Sequence, residues 1–296
     1  MPDLGLIQAD LVFGVLLGCV FAVIAHGLNL VWGVTKVVNV AHGEFIMLGA
    51  YGAYYLSLYL GLNPLLSAPI DAAIGLGAGA VFYFAFLYRE LSGKEEITHQ
   101  SEMVTLVATF GLSLALTNLA IFFFKGNFVG IPYNPGTLSF GAIKVPLGGL
   151  YVAIASLGII AFTQFLLTRT YLGNAVRAYS QDIAASKLMG VNPVTVGAFA
   201  TALGFSVTMA GGALLTVWIS TGINPEMGHI YAPISFVIVV LGGPGRMWGS
   251  LAGGLAVGII IDVGQALVDD PLIAYAAAFL VVIPVLLIRS RVGSLR

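Results

Sequence analysis

Asn39, His42 and Glu44 fall within six residues of one another, close behind Lys36, in a chain that has few other polar groups inside its apolar stretches. A charge at the centre of a bilayer costs ~2.5–3.5 kcal/mol on insertion scales. Such a group therefore sits at an interface, pairs with a neighbour or lines a polar cavity. Two readings stay open. One is a polar lining for a transport route. The other is a cytoplasmic turn with Glu44 at a helix start, where the dipole favours an acid. A second constellation is Gly242-Gly-Pro-Gly-Arg-Met-Trp-Gly249, whose only charge is Arg246. Irregular backbone of this kind survives at membrane depth only where protein or a water-filled cavity covers it. The four histidines, His26, His42, His99 and His229, form no zinc-binding spacing, so no metal site is expected. Gly93-Lys94 is followed by Glu95 and is not a phosphate-binding loop. The chain reads as non-catalytic and without a cofactor of its own, so any ATP is hydrolysed by another subunit.

The elements that must position these residues follow from composition. Of 296 residues, 59% are hydrophobic and 8% charged, with 12 Lys+Arg against 13 Asp+Glu and a mean hydropathy of +1.00. Soluble domains carry ~25% charge. This balance excludes a soluble enzyme, a disordered chain and a nucleic-acid binder, and indicates a polytopic membrane protein. Apolar runs cover roughly 11–33, 44–60, 66–88, 103–124, 147–168, 194–219, 231–241, 249–268 and 271–288. They lack two-residue alternation, so they are helices rather than barrel strands. The fold class is all-α, a transmembrane bundle of about seven full spans plus a short late hairpin or broken helix over 231–268. Two ordinary short helices joined by a Gly/Pro turn are the alternative for that stretch. The chain is taken as one permease-like membrane domain, 1–296. Its amino-terminal run is expected to be a retained span, because residues 1–10 lack the Lys or Arg of a signal peptide.

Basic residues set the sides. Arg89 and Lys94, then Arg169, Arg177 and Lys187, then Arg289, Arg291 and Arg296 mark one side. This puts the N-terminus outside and the C-terminus in the cytoplasm. Asp71 and Asp262 fall near predicted outer ends. The glycine pairs Gly14/Gly18, Gly75/Gly79, Gly249/Gly253 and Gly254/Gly258 suit close helix packing. Cys19 is the lone cysteine and is expected to be an inert core residue.

The cytoplasmic loop 169–193 holds a short helix over about 181–190. Ser180 is expected to cap it, Asp182 to fill the first turn, Lys187 the last, Gly190 to end it and Pro193 to block continuation. Ala184, Ala185, Leu188 and Met189 share one apolar face, which needs a partner in the protein's own bundle or in another subunit.

At these residues the sequence resembles the permease subunits of bacterial branched-chain amino-acid ABC importers, the LivH type. Gly27-Leu-Asn-Leu, Gly33 and the block Asn39-Val-Ala-His-Gly-Glu-Phe-Ile-Met-Leu-Gly-Ala-Tyr51 carry the resemblance most specifically. Gln181-Asp182 with Lys187-Leu-Met-Gly-Val-Asn192 resembles the family's ATPase-contacting loop. Ile223-Asn-Pro225, Val239-Val-Leu-Gly-Gly243, Gly249 and Gly253-Gly254 resemble its late hairpin. The sequence departs from the family's pattern at Ala184-Ala185-Ser186, where the usual Glu is missing, and at Ile234, Arg246 and Trp248.

The resemblance implies half of a translocation pathway in the bacterial inner membrane. Its cargo would be a small polar or amphipathic solute such as a branched-chain amino acid; relatives of the same shape handle urea, amides or organic acids. It implies four kinds of association: a second homologous permease, two cytoplasmic ATPase subunits, an extracytoplasmic solute-binding protein and the lipid bilayer. The pathway would use Asn39, His42, Glu44, Gly242, Gly243 and Arg246. ATPase coupling would use Asp182, Ala184, Ala185, Leu188, Met189 and Gly190. An ion- or proton-coupled secondary transporter is the competing class; the scarcity of deep ionisable groups weighs against it.

Overall fold

The computed structural model describes residues 4–91, 99–140, 143–219, 222–268, 273–281 and 284. Its helices are α1 (Leu4–Thr35), α2 (His42–Leu60), α3 (Pro64–Phe82), α4 (Tyr88–Leu91), α5 (His99–Phe124), α6 (Leu147–Arg169), α7 (Tyr171–Gln181), α8 (Ile183–Leu188), α9 (Pro193–Leu215), α10 (Met227–Gly242) and α11 (Met247–Val268). A π-helical turn, Tyr83–Leu87, joins α3 to α4 without a break. Residues 273–281 are helical as well. Among the described residues, six helical stretches are long and apolar enough to cross a membrane, and α10 is a shorter apolar helix. The polytopic all-α bundle expected from the apolar runs is therefore the architecture found.

Local chemistry fixes the helix ends. Asn63 and Asn192 cap α3 and α9 through their side-chain oxygens, each followed by Pro at the first helical position. Proline is suited there because its missing N–H is one of the unpaired amides of a helix start. Gly61 ends α2 at φ +66°, a left-handed conformation that glycine adopts without strain.

The centre of the bundle is α1, packed between α9 and α11. Side-chain volume is absent where these helices cross. A Cβ on Gly18 would lie 2.8 Å from the Leu255 Cα, and one on Gly254 would lie 2.6 Å from the Ala22 Cα. Gly75 and Gly79 bring α3 equally close to Phe205 and Ala202 of α9. With no hydrophobic force between helices in lipid, this backbone-to-backbone fit supplies the dispersion contact that holds them. The peripheral helices differ. α5 and α6 present Phe110, Phe122, Phe123, Phe162 and Phe165 outward.

The late segment, expected as a short hairpin or broken helix, is a short helix and a full-length span joined by the 243–246 turn. α11 is a full-length span of 22 residues, whereas α10 has 16, about 24 Å at 1.5 Å per residue. The chain before α10 is irregular and is tied to the 125–146 connection by an antiparallel bridge, Val129 to Ile223. That connection also carries a two-stranded antiparallel hairpin, β1 (Thr137–Phe140) with β2 (Ile143–Pro146), in register Thr137 opposite Pro146. Hydropathy gives no sign of it.

Candidate functional site: two helix starts meeting at Glu44

α1 ends at Thr35, and the chain turns back with Lys36 at φ +56°. When α2 begins, the His42 ring lies beside the backbone of Ile24. Ile24 lies eleven residues before Thr35, about 16 Å along α1. α2 therefore starts near the middle of the bundle rather than at its end. Ser113, which donates to Glu44 Oε1 at 2.8 Å, likewise sits near the middle of the 26-residue α5.

α10 starts at the same depth. A Cβ on Gly228 would lie 2.7 Å from Glu44 Oε2 and 2.9 Å from the Gly43 carbonyl carbon, so only glycine lets the two helix starts meet this closely. His229 Nδ1 is 3.8 Å from Glu44 Oε1. The Glu44 carboxylate thus faces the first turns of both α2 and α10, where unpaired amides carry partial positive charge. Discontinuous helices that begin at mid-depth are how membrane proteins build polar sites for solutes.

Three polar atoms here have no hydrogen-bond partner among the described residues: Asn39 Nδ2, His42 Nε2 and Glu44 Oε2. Their side chains are 6%, 3% and 1% exposed. Buried polar groups are nearly always paired, so three within six residues mark a place built for something besides packing. Asn39 Oδ1 is used locally, accepting from the Ala41 N–H at 3.0 Å. The wall opposite is α5. Ser101, Thr105, Thr109, Ser113 and Thr117 recur at every fourth residue, and all five are buried. Thr109 Oγ1 accepts from the Val40 N–H at 3.2 Å.

Gly242, Gly243 and Arg246 are not in this cluster. Gly242 lies fourteen residues after Gly228 on α10, about 21 Å away along the axis. The turn they form is clamped to α1 by Asn29, which belongs to the Gly27-Leu-Asn-Leu block that carries the resemblance but is not among the expected site residues. Asn29 Nδ2 donates to the Arg246 carbonyl at 2.8 Å and to Ser250 Oγ at 2.7 Å, and Asn29 Oδ1 accepts from the Gly245 N–H at 2.6 Å. Gly33, one turn further on, leaves room for Gly245: a Cβ there would lie 2.7 Å from its Cα. The Arg246 side chain itself is exposed. His26, also buried but outside any motif, joins α1 to α6 through Nε2 and Thr163 Oγ1 at 2.9 Å. Asp71 is not at an exposed helix end; it is fully buried against Gly52 of α2.

The 169–193 connection holds two helices rather than one. α7 uses Thr170 as its cap. Ser180 lies inside α7, with its hydroxyl on the Arg177 carbonyl, and does not cap the second helix. Asp182 does, accepting from the Ala185 N–H at 2.9 Å. Ser180 is taken up inside α7, so the residue directly before Ile183 caps α8. α8 spans six residues, shorter than the 181–190 expected. Gly190 follows at φ +84°. Ala184 and Ala185 are exposed, and Leu188 and Met189 are 89% and 84% exposed, so the apolar face has no partner among the described residues of this chain.

Comparison with known proteins adds a family. Residues 11–290 match the model described as "Branched-chain amino acid transport system / permease component". The high-affinity branched-chain amino acid transport system permease protein BraD of Pseudomonas aeruginosa is 28% identical over 279 residues, covering 91% of this chain and 90% of its own. The corresponding permease protein LivH of Escherichia coli is 27% identical over 254 residues, covering 83% and 82%. The permease protein LivM of Salmonella typhimurium is 26% identical over 253 residues, covering 77% of this chain and 57% of its own. No solved structure matches the chain.

Proposed function

Because this chain belongs to the family of permease components of branched-chain amino acid transport systems, we propose that it forms half of a translocation pathway whose central polar station is Glu44. The protein is a multi-pass membrane permease subunit of an ATP-binding-cassette importer and not an enzyme. The cargo is a branched-chain or similarly hydrophobic amino acid, as the names of its relatives support. A second, homologous permease supplies the other half of the route; that both LivH and LivM proteins match this chain supports a pair of related subunits.

The observation that carries the reading is the meeting of two helix starts at a buried carboxylate whose Oε2 is unpaired, with two further unpaired polar atoms, Asn39 Nδ2 and His42 Nε2, beside it. A zwitterion leaving water needs an acceptor for its ammonium and donors for its carboxylate. Glu44 Oε2 offers the first; Asn39 Nδ2 and the amides of the two first turns offer the second. Gly242, Gly243 and Arg246 gate the far end of α10. The N-terminus is outside and the C-terminus cytoplasmic, which puts α7 and α8 on the ATPase side. The exposed face of α8 docks in a groove of an ATPase subunit. Burying Leu188 and Met189 is worth ~1.5–3 kcal/mol each, enough to anchor a small contact. ATP-driven closure of the ATPase pair shifts the bundle between two access states only through contacts that differ between them. An extracytoplasmic binding protein delivers cargo from the other side.

The test is uptake by the reconstituted transporter carrying Asn39→Leu or Glu44→Gln. Each variant should assemble with its partners and lose most uptake. Normal uptake by both would reduce the cluster to a turn.

A further inference from the structure

A separate pocket of about 200 Å³ opens where α1, α6 and α7 meet the 242–249 turn. Gly33, Gln164, Arg177, Ser180, Met247 and Trp248 contribute to its wall, and no acidic residue lines it. Lys36 stands at its rim. Its ammonium donates to the Gly33 carbonyl at 2.8 Å and to the Ser180 carbonyl at 3.2 Å, bridging two wall residues. Burial lowers the Lys36 pKa. Arg246 follows the wall residue Gly245, but its exposed side chain does not line the pocket. Met247 and Trp248 are the first two residues of the 22-residue α11, so the positive end of that helix also borders the space. Gln164 Oε1, a buried acceptor in the wall, makes no hydrogen bond among the described residues.

The pocket's depth says what kind of molecule reaches it. Gln164 is five residues from the end of α6, about 7.5 Å from the point where that span stops at Arg169. With a hydrocarbon core of ~30 Å, Gln164 marks the pocket floor just below the headgroup boundary, and Arg177 and Ser180, beyond the end of the span, stand at headgroup level. The neighbouring Phe165 and Trp248 are 58% and 63% exposed, the apolar and amphipathic surface expected beside lipid. Basic pockets between spanning helices on the cytoplasmic side suit anionic headgroups.

We propose that this pocket recognises phosphate and holds the headgroup of an anionic phospholipid. Arg177 and the start of α11 take the phosphate, and the acyl chains run back along the apolar surface beside Phe165.

The experiment uses the full-length protein, delipidated in detergent. Phosphatidylglycerol, phosphatidylcholine and inorganic phosphate are titrated separately, with thermal stability and native mass spectrometry as readouts. Phosphatidylglycerol should bind and raise the melting temperature; phosphatidylcholine should do neither. Arg177→Gln should weaken phosphatidylglycerol roughly tenfold, the loss expected for one charge-assisted hydrogen bond. Arg177→Lys should restore part of it. Arg169→Gln, outside the wall, should bind as wild type does. Equal binding of the two lipids, or wild-type affinity in Arg177→Gln, overturns the site. Stabilisation by inorganic phosphate equal to that by the lipid overturns the headgroup and leaves a free-anion site. If Arg177→Gln does not fold, the contrast between the two lipids on the wild-type protein decides alone.

Discussion

Asn29→Leu removes the clamp between α1 and the 242–249 turn at almost constant volume. Three hydrogen bonds disappear, to the Gly245 N–H, the Arg246 carbonyl and the Ser250 hydroxyl. Side-chain hydrogen bonds in membrane bundles are worth ~0.6–1.7 kcal/mol, and orphaned partners add a desolvation penalty. The expected loss is about 2–4 kcal/mol, a large share of a stability that is typically about 5–15 kcal/mol. Asn29→Asp keeps the acceptor for Gly245 but sets a fully buried carboxyl group against the Arg246 carbonyl, so it should cost at least as much as Leu. The assay is equilibrium unfolding in mixed detergent micelles, with hydrogen exchange at the Gly245 amide as the local reporter. Exchange there should accelerate in step with the global loss. A change below about 0.5 kcal/mol in Asn29→Leu, less than one such hydrogen bond is worth, with Gly245 still protected, would show that backbone fit at Gly33 alone holds the turn.

Gly228→Ala should separate the two helix starts, because its Cβ would collide with Glu44 and Gly43; uptake should fall severalfold while the bundle stays folded by circular dichroism. Leu188→Asp should leave the membrane bundle intact yet reduce ATPase co-purification and uncouple hydrolysis from uptake, and wild-type values in both assays would withdraw the coupling role. Gly190→Val should act in the same direction, since φ +84° strains any β-branched residue. Asp182→Ala should cost about 1 kcal/mol of local stability, seen as faster amide exchange confined to α8. In a background lacking Cys19, a cysteine at position 3 should label from outside the cell; labelling only from the cytoplasm would reverse the topology.

The long helices are legible in the sequence because lipid-facing and core-facing positions are both apolar, so hydropathy marks the whole length. The run 194–219 corresponds to Pro193–Leu215, and 103–124 to His99–Phe124. α7 carries no such mark, because its residues alternate small, polar and apolar around a short helix that is no span. The depth at which α2 starts is not legible either. It depends on how far the chain after Thr35 folds back along α1, which no local pattern encodes. The clamping role of Asn29 is hidden for a related reason: its partners are more than 200 residues away. The hydroxyl stripe on α5 is in plain view, with Ser101, Thr105, Thr109, Ser113 and Thr117 at a strict spacing of four. Sorting the hydroxyls by helical face is enough to find it, and a buried stripe of hydroxyls calls for a polar neighbour such as the 39–44 cluster.

The glycine crossings have a mechanical consequence. Where α1, α9 and α11 touch, backbone meets backbone, and a slide of one residue would drive a side chain into a space that holds none. These three helices cannot shear past one another in small steps; they translate together as a single strut. Any stroke delivered at α8 must therefore be absorbed elsewhere, in stretches without such interlocks. The candidates are the turn 36–41 and the irregular chain ahead of α10. Both end at the helix starts that enclose Glu44. If α8 is the coupling element and Glu44 the polar station proposed above, the stiffness of the centre would direct movement to these two helix starts.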